Sequence, residues 1–215
     1  MADSIPAGAV EHLRSADPIL RGVIDAIDAD GGIGPRGGRR GIKPNDHYGA
    51  LVRSIIGQQL SAKVAAIMNQ RLLDRYNGRP PTPAEVLAED PEELRAAIGL
   101  SKMKVAFLRS LAEHVTDGSL ELDKMGSLSD EDVIAELVEV KGIGQWTAHM
   151  FLIFHLERPD VLAVGDLGIR SAIKGAYELA ELPGPSEMET IAAPWRPYRS
   201  VACRYLWRSL DNTPA

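Results

Sequence analysis

Apolar residues recur at helical spacing over most of this 215-residue chain. One helix is predicted to start at Ser129 and to carry Val133, Leu137 and Val138 on one face. No stretch alternates apolar and polar residues with a period of two, and no hairpin turn joins two such stretches. The pattern therefore predicts an all-α fold.

Capping sequences mark several helix starts. The segment 82–85, Thr-Pro-Ala-Glu, combines a capping threonine, a proline in the first helical position and a glutamate that completes a capping box. The segment that begins at Asp90 repeats this device, and Gly99 is expected to end its helix. Ser186, with Glu189 three residues further on, predicts another helix start.

Length and composition exclude several classes of protein. The chain is long enough for one large or two small domains, and its 45% hydrophobic content is ordinary for a globular protein. No apolar run is long enough to span a membrane, and the N-terminus does not resemble a secretion signal. The single cysteine, Cys203, excludes an internal disulfide, a four-cysteine iron–sulfur cluster and a cysteine-based zinc site. A cytoplasmic protein is expected.

The net charge of −6 argues weakly against nucleic-acid binding, which usually depends on the neutralisation of phosphates. Basic residues are nevertheless segregated into two stretches without acidic residues, 31–45 and 195–208. They are Arg36, Arg39, Arg40 and Lys43 in the first stretch, and Arg196, Arg199, Arg204 and Arg208 in the second. Such segregation is typical of a molecule with one basic face, although chance clustering on a solvated surface gives the same pattern.

The segment from Val138 to Phe151, VEVKGIGQWTAHMF, predicts two helices joined by a tight turn over residues 142–144. Its two glycines let the chain turn closely and let backbone amides approach a phosphate. Lys141 places a positive charge beside the turn. An isolated G-x-G turn fits a purely architectural corner equally well, but the whole string resembles the helix-hairpin-helix motif of DNA-binding proteins.

Asp166 stands in front of another apolar helix, in the segment AVGDLGIR. Its position predicts an N-cap. A catalytic role is compatible with capping, because a carboxylate fixed at the positive end of a helix dipole can stabilise a cationic transition state.

Together, the hairpin and Asp166 resemble the helix-hairpin-helix DNA glycosylase superfamily. Three further segments narrow the resemblance to its AlkA-type 3-methyladenine DNA glycosylases: Leu51–Ala65 (LVRSIIGQQLSAKVA), Ile98–Lys104 (IGLSKMK) and Trp195–Trp207 (WRPYRSVACRYLW). The resemblance runs from about His12 to Trp207. It implies two helical domains with an active-site cleft between them: residues 46–159 with the hairpin, and residues 1–45 plus 160–215 with the catalytic aspartate. A minimal form without the N-terminal β-containing domain is expected.

The resemblance implies a monofunctional DNA glycosylase that hydrolyses the N-glycosidic bond of alkylated bases, of the 3-methyladenine and 7-methylguanine type, in base excision repair. Asp166 would be the catalytic residue. Trp146 stands where bifunctional relatives carry a Schiff-base lysine, so no lyase activity is expected. The implied partner is double-stranded DNA, with the protein monomeric and associated with the nucleoid. Two alternatives stay open: a glycosylase for another lesion, and a non-catalytic helix-hairpin-helix DNA-binding module.

The resemblance also implies the binding residues. The base pocket would be lined by Trp146, Trp207, Gln58 and Met150. DNA contacts are expected from Gln59, Leu60, Ser61, Ser101, Lys102, Lys104, Lys141, Gly142, Ile143, Gly144 and Thr147. In the best-known relative the wedge residue at Gln59 is apolar and a tyrosine stands at Met150, so the lesion range is open at both positions. No cofactor is required, but a structural Na⁺ or K⁺ is implied at the backbone carbonyls of Val138, Val140 and Ile143.

Overall fold

The structure, a computed structural model, describes residues 5–33 and 47–211. All regular secondary structure in these residues is helical, which confirms the predicted fold class. In chain order the helices are α1 (Ala9–Ala16), α2 (Pro18–Ala29), α3 (His47–Gly57), α4 (Ala62–Arg75), α5 (Pro83–Ala88), α6 (Pro91–Ile98), α7 (Lys102–Thr116), α8 (Asp130–Val138), α9 (Gln145–Phe154), α10 (Leu167–Ala176), α11 (Pro185–Ala192) and α12 (Arg199–Asp211). Two short 3-10 helices lie at Leu122–Lys124 and Ala193–Trp195.

The chain divides into two compact units. We call residues 5–33 with 152–211 the terminal unit, and residues 47–151 the central unit. The division falls within α9, directly after Phe151, whereas the sequence placed it at residues 159–160. None of the helices in the described ranges combines the length and the apolar content that crossing a bilayer requires.

Most of the predicted helix starts are confirmed. Thr82 forms a capping box with Glu85, and the side chain of Asp90 accepts hydrogen bonds from the backbone N–H groups of the first turn of α6. Gly99 ends α6 in the left-handed conformation at φ 88°. Ser129 caps α8 by accepting a hydrogen bond from a backbone N–H in its first turn.

The start predicted at Ser186 is wrong. Helix α11 begins at Pro185, and its N-cap is Gly184, which has no side chain to accept a hydrogen bond. Proline suits the first helical position because its φ is already helical and it lacks an N–H group that would otherwise need a partner. The helix therefore starts one residue before the serine.

The terminal unit is organised around a buried carboxylate. Asp17 caps α2 and also accepts hydrogen bonds from the hydroxyl of Tyr177 and from the indole N–H of Trp195. Burial alone would raise the pKa of Asp17, but these hydrogen bonds, with those from Leu20 and Ile19 N–H, outweigh burial and lower the pKa. The network ties α2 to the chain around α10 and to the 3-10 helix before α12. Because α10 also packs on α12, the N-terminus of α10 lies next to residues of α12.

The central unit packs α7 against α3, α5 and α6. Lys104, in the first turn of α7, donates from Nζ to the carbonyl oxygen of Ile56 at 2.6 Å, in the last turn of α3. Burial lowers the pKa of Lys104. This contact fixes the loop that precedes α7 relative to the loop that follows α3, and both loops are among the segments predicted to touch DNA.

Candidate active site

Asp166 has the geometry of both an N-cap and a fixed carboxylate. Its Oδ1 accepts a hydrogen bond from the backbone N–H of Ile169 at 2.8 Å, which confirms the predicted cap of α10. The same oxygen accepts a second hydrogen bond, also 2.8 Å long, from Nε1 of Trp207 on α12. The carboxylate is thus held by donors from two helices.

The indole of Trp207 is itself held in place. Phe154 lies against it, with ring centroids 5.4 Å apart and ring planes tilted by 32°. Trp207 is half-buried. Leu167, the residue after the carboxylate, leaves 63% of its surface exposed, so apolar surface lies beside Asp166 in the terminal unit.

The predicted hairpin joins α8 to α9. The sequence treated Gly142 and Gly144 alike, but the structure separates them. Gly142 has φ +91°, and a Cβ built on it would lie far too close to Cγ of Phe107, a severe overlap with that side chain. Gly144 lies outside the left-handed region, and a Cβ there meets no atom within 4 Å. Gly142 is therefore required by the turn itself, whereas the space beside Gly144 is open.

The turn is braced from within the central unit. Gln58, which follows α3, donates from Nε2 to the carbonyl oxygen of Gly142 at 2.8 Å and contacts the Thr147 hydroxyl at 3.4 Å. Thr147 is only 3% exposed, and Ile143 is also buried. The N–H of Ile143 donates to the carbonyl of Val140 at 3.0 Å. The amide group of Gln58 and the hydroxyl of Thr147 are thus engaged by the hairpin.

Two of the predicted pocket residues lie on α9. Trp146 is the second residue of the helix and is 40% exposed. Met150 follows one turn later and is half-buried. Trp146 therefore presents an accessible aromatic face in the central unit.

The loop between α3 and α4 carries the predicted wedge. Gln59 is exposed and adopts φ +55°, a left-handed conformation that is uncommon for a residue other than glycine. Leu60 is half-buried, and the hydroxyl of Ser61 caps α4 by accepting a hydrogen bond from Val64 N–H. The left-handed backbone conformation of Gln59 thus sets the direction in which its exposed side chain leaves the loop.

The second predicted DNA loop leads into α7. Ser101 caps the helix, and Lys102 and Met103 are exposed in its first turn. Lys104 differs from its neighbours because its ammonium group is held by the carbonyl of Ile56. At the hairpin, Lys141 is exposed, and its backbone N–H donates to Ser110 Oγ at 3.3 Å.

In the basic stretch at residues 195–208, three of the four arginines are ion-paired with carboxylates. Arg199 is 7% exposed and is ion-paired with Asp160 at 2.8 Å and with Glu189 at 3.0 Å. Arg196 pairs with the same Asp160, and Arg208 pairs with Asp30. Carboxylates from distant parts of the chain neutralise these arginines within the terminal unit. The basic residues at 36–43 lie outside the described residues.

Other chemistry finds little support in the described residues. Cys203 is buried, and burial raises the pKa of its thiol to about 12, which disfavours the reactive thiolate form. Among residues 5–33 and 47–211, no cluster of three histidine, cysteine, aspartate or glutamate side chains could hold a metal ion.

Comparison with known proteins shows that the chain is similar to base excision DNA repair proteins. A family model described as HhH-GPD superfamily base excision DNA repair protein matches residues 52–197. A DNA-3-methyladenine glycosylase 1 of Schizosaccharomyces pombe is 36% identical over 172 residues, which is 79% of this chain and 75% of that protein. Across the curated relatives the matched share of their own length ranges from 41% to 76%.

Two solved structures share the fold over nearly the whole chain. One is a 3-methyladenine DNA glycosylase of S. pombe in complex with abasic DNA, with a TM-score of 0.78 and 32% identity over 94% of this chain and 95% of that one. The other is a DNA-3-methyladenine glycosidase of Bacillus halodurans, with a TM-score of 0.79 and 33% identity over 99% of this chain and 92% of that one.

Proposed function

Because the chain belongs to the HhH-GPD superfamily of base excision DNA repair proteins, we propose that it is a monofunctional DNA glycosylase for alkylated bases. The observation that carries the proposal is the fixed carboxylate of Asp166, with donors at 2.8 Å from Ile169 and from Trp207. A helix that needed only a cap would not need the second donor. The names of the relatives support 3-methyladenine as the substrate, and we extend the proposal to other alkylated bases.

The proposed reaction is hydrolysis of the N-glycosidic bond. The bond from C1′ to the base breaks, and the base leaves with the electron pair. The sugar becomes an oxocarbenium-like cation, which Asp166 stabilises electrostatically. Water then adds to C1′ and loses a proton. An alkylated purine is cationic before it leaves, so its departure needs no strong acid from the protein.

We assign base recognition first to Trp146. A cationic base is attracted to the electron-rich face of an indole, a contact worth about 0.5–2 kcal/mol depending on how far it is desolvated. Trp146 is 40% exposed in the structure, so its face is accessible to a ligand. Met150 offers a polarizable neighbour one turn away, and Trp207 remains a candidate for the pocket wall.

We also propose, from the presence of tryptophan at position 146, that the protein has no lyase activity. A lyase reaction needs an amine that attacks C1′, and an indole cannot form a Schiff base. We expect base release without strand cleavage. Borohydride treatment of the reaction with methylated DNA should trap no covalent protein–DNA adduct, and a borohydride-dependent adduct would contradict the monofunctional assignment.

DNA binding is assigned to backbone donors and a few exposed side chains. The hairpin amides near Gly144, the Lys141 ammonium and the N-terminus of α7 with Lys102 would hold phosphates. Extrusion of the damaged nucleotide from the duplex costs a few kcal/mol. Gln59 would occupy the gap that this nucleotide leaves. Gln58 and Thr147 would act indirectly, by bracing the turn.

A monovalent cation at the hairpin is a further part of the proposal. The last carbonyls of α8 lie at the negative end of its dipole, and carbonyl oxygens suit Na⁺ or K⁺. The Val140 carbonyl already accepts a hydrogen bond from Ile143 N–H, and its second lone pair would serve the ion. A bound ion would stabilise the turn whose amides face the phosphate.

The test is incubation with methylated duplex DNA, followed by identification of the free bases. We expect release of 3-methyladenine and 7-methylguanine. Asp166→Asn should keep DNA binding and lose nearly all excision, because asparagine still caps a helix but carries no charge.

The matched control for this variant is Asp90→Asn. Asp90 caps α6 through the same kind of side-chain oxygen, so its replacement tests the loss of a capping charge alone. Equal activity of Asp166→Asn and Asp90→Asn would reduce Asp166 to a cap. DNA binding by the parent protein without base release would favour the non-catalytic binding module.

A further inference from the structure

Two donors converge on one oxygen of the catalytic carboxylate. The N–H of Ile169 comes from the first turn of α10, and the indole N–H of Trp207 comes from α12, 41 residues away in sequence. A carboxylate is planar and rigid, so two donors on Oδ1 fix the direction in which Oδ2 points. The first donor is an ordinary helix cap, whereas the second has no role in capping.

A glycine gives the indole room to reach the carboxylate. A Cβ built on Gly168 would lie 3.0 Å from Oδ1 of Asp166 and 3.3 Å from Cδ1 of Trp207. Both distances are tighter than ordinary van der Waals contact, so a Cβ at residue 168 would force the carboxylate or the indole to shift by a few tenths of an ångström. Phe154 also contacts the indole, with ring centroids 5.4 Å apart.

We propose that Trp207 is a positioning residue for the reaction: its indole N–H fixes the orientation of the Asp166 carboxylate, and Gly168 provides the space for that contact. The inference rests on the proposed function and differs from the pocket-wall role, in which only the aromatic face of Trp207 would matter. A misplacement of about 1 Å in a catalytic group can cost on the order of a hundredfold in rate.

The variant that separates the two roles is Trp207→Phe, which keeps an aromatic ring and removes the N–H. We expect the single-turnover rate of base release to fall about tenfold to a hundredfold, the range of a hydrogen bond to a charged group. Affinity for abasic duplex DNA should stay within about twofold, because the ring remains. A rate within about twofold of the parent would overturn the proposal.

A double-mutant cycle tests whether Trp207 acts through the carboxylate. In the Asp166→Asn background, Trp207→Phe should cause little further loss, because the charge that it positions is already gone. Losses that multiply would mean that the indole N–H acts on the substrate independently, and the proposal would fail.

The glycine is tested with a control from the same helix. Gly168→Ala should lower the rate of base release at least threefold and leave DNA affinity unchanged. Gly175→Ala is the matched control, because it lies in α10 and a Cβ there meets nothing within 4 Å. Equal rates for the two variants would refute the role of Gly168.

A spectroscopic measurement tests the hydrogen bond without relying on activity. The chain has three tryptophans, and Trp207→Phe assigns the indole N–H resonance of Trp207. We expect this resonance to shift in Asp166→Asn, while that of Trp195, whose N–H donates to Asp17 at 2.8 Å, stays in place. An unshifted Trp207 resonance contradicts the proposal whether or not the protein excises bases. A shifted resonance without base release would contradict only the proposed function.

Discussion

Replacement of the two hairpin glycines should separate folding from DNA binding. Gly142→Ala forces an L-residue into φ +91° and brings its Cβ into severe overlap with the side chain of Phe107. The left-handed conformation costs about 1–2 kcal/mol, and overpacking costs about 1–3 kcal/mol. The sum, roughly 2–5 kcal/mol, is a large share of the stability of about 5–15 kcal/mol that is typical of natural proteins.

The same replacement two residues later should leave the fold intact. Gly144 is outside the left-handed region, and its Cβ would project into open space. We expect Gly144→Ala to change the free energy of unfolding by no more than about 0.5 kcal/mol. Its affinity for duplex DNA should nevertheless fall at least tenfold, because the added methyl group stands where the backbone would approach a phosphate.

The assay is thermal unfolding and DNA titration of both variants beside the parent protein. For a chain of this size we expect Gly142→Ala to lower Tm by about 4–20 °C, from roughly 2–4 °C per kcal/mol. Adding Phe107→Ala to Gly142→Ala should recover the steric part, which a double-mutant cycle measures as a coupling between the two sites. Equal Tm losses at both glycines, or unchanged DNA affinity of Gly144→Ala, would refute the reasoning.

Three further predictions follow from charged groups. Lys102→Met should reduce the slope of log affinity against log salt concentration by about 0.9, because one phosphate contact is lost. Lys104→Met should leave this slope unchanged and lower Tm, because the Lys104 ammonium donates to the carbonyl oxygen of Ile56 and not to a phosphate. Lys141→Met should weaken binding to all DNA sequences alike, as titration of unrelated duplexes would show. The pKa of Asp17 is lowered in the folded state, so the charged carboxylate stabilises the fold above the ordinary carboxylate pKa of about 4, and this stabilisation is lost as the pH falls below that value. Asp17→Asn should therefore lower Tm at pH 7. The Tm of this variant should also fall less steeply in acid than the Tm of the parent protein.

Local motifs could be predicted from the sequence because their chemistry lies within one or two helical turns. The caps at Thr82, Asp90, Ser129 and Asp166 each join groups two or three residues apart. Such pairs are visible in the sequence once the helix start is recognised. The helix start predicted at Ser186 was wrong because Pro185, which favours the first helical position, determines where the helix begins.

The contacts that hold the site together could not be predicted in the same way. Gln58 reaches Gly142 over 84 residues, and Lys104 reaches Ile56 over 48. Each pair depends on how helices pack, which apolar spacing along one helix does not specify. The partner of Gln58 is a backbone carbonyl, and because every residue carries one, the sequence does not mark which carbonyl will be the partner. The family resemblance therefore assigned Gln58 to the base pocket, but it did not indicate that the amide of Gln58 donates to the hairpin turn.

The fate of the arginines explains how an acidic chain can bind a polyanion. In the stretch at 195–208, Arg196, Arg199 and Arg208 are paired with carboxylates of the terminal unit, which partly neutralise their charges. In the described part of the chain, the proposed phosphate contacts are then backbone amides, helix N-termini and the lysines at 102 and 141. Neutral donors bind a phosphate without bringing a compensating charge, and each lysine contributes one unit to the salt dependence. We therefore expect DNA affinity to depend on the geometry of the hairpin, which Gly142 and Gln58 keep in shape, more than on the net charge of −6.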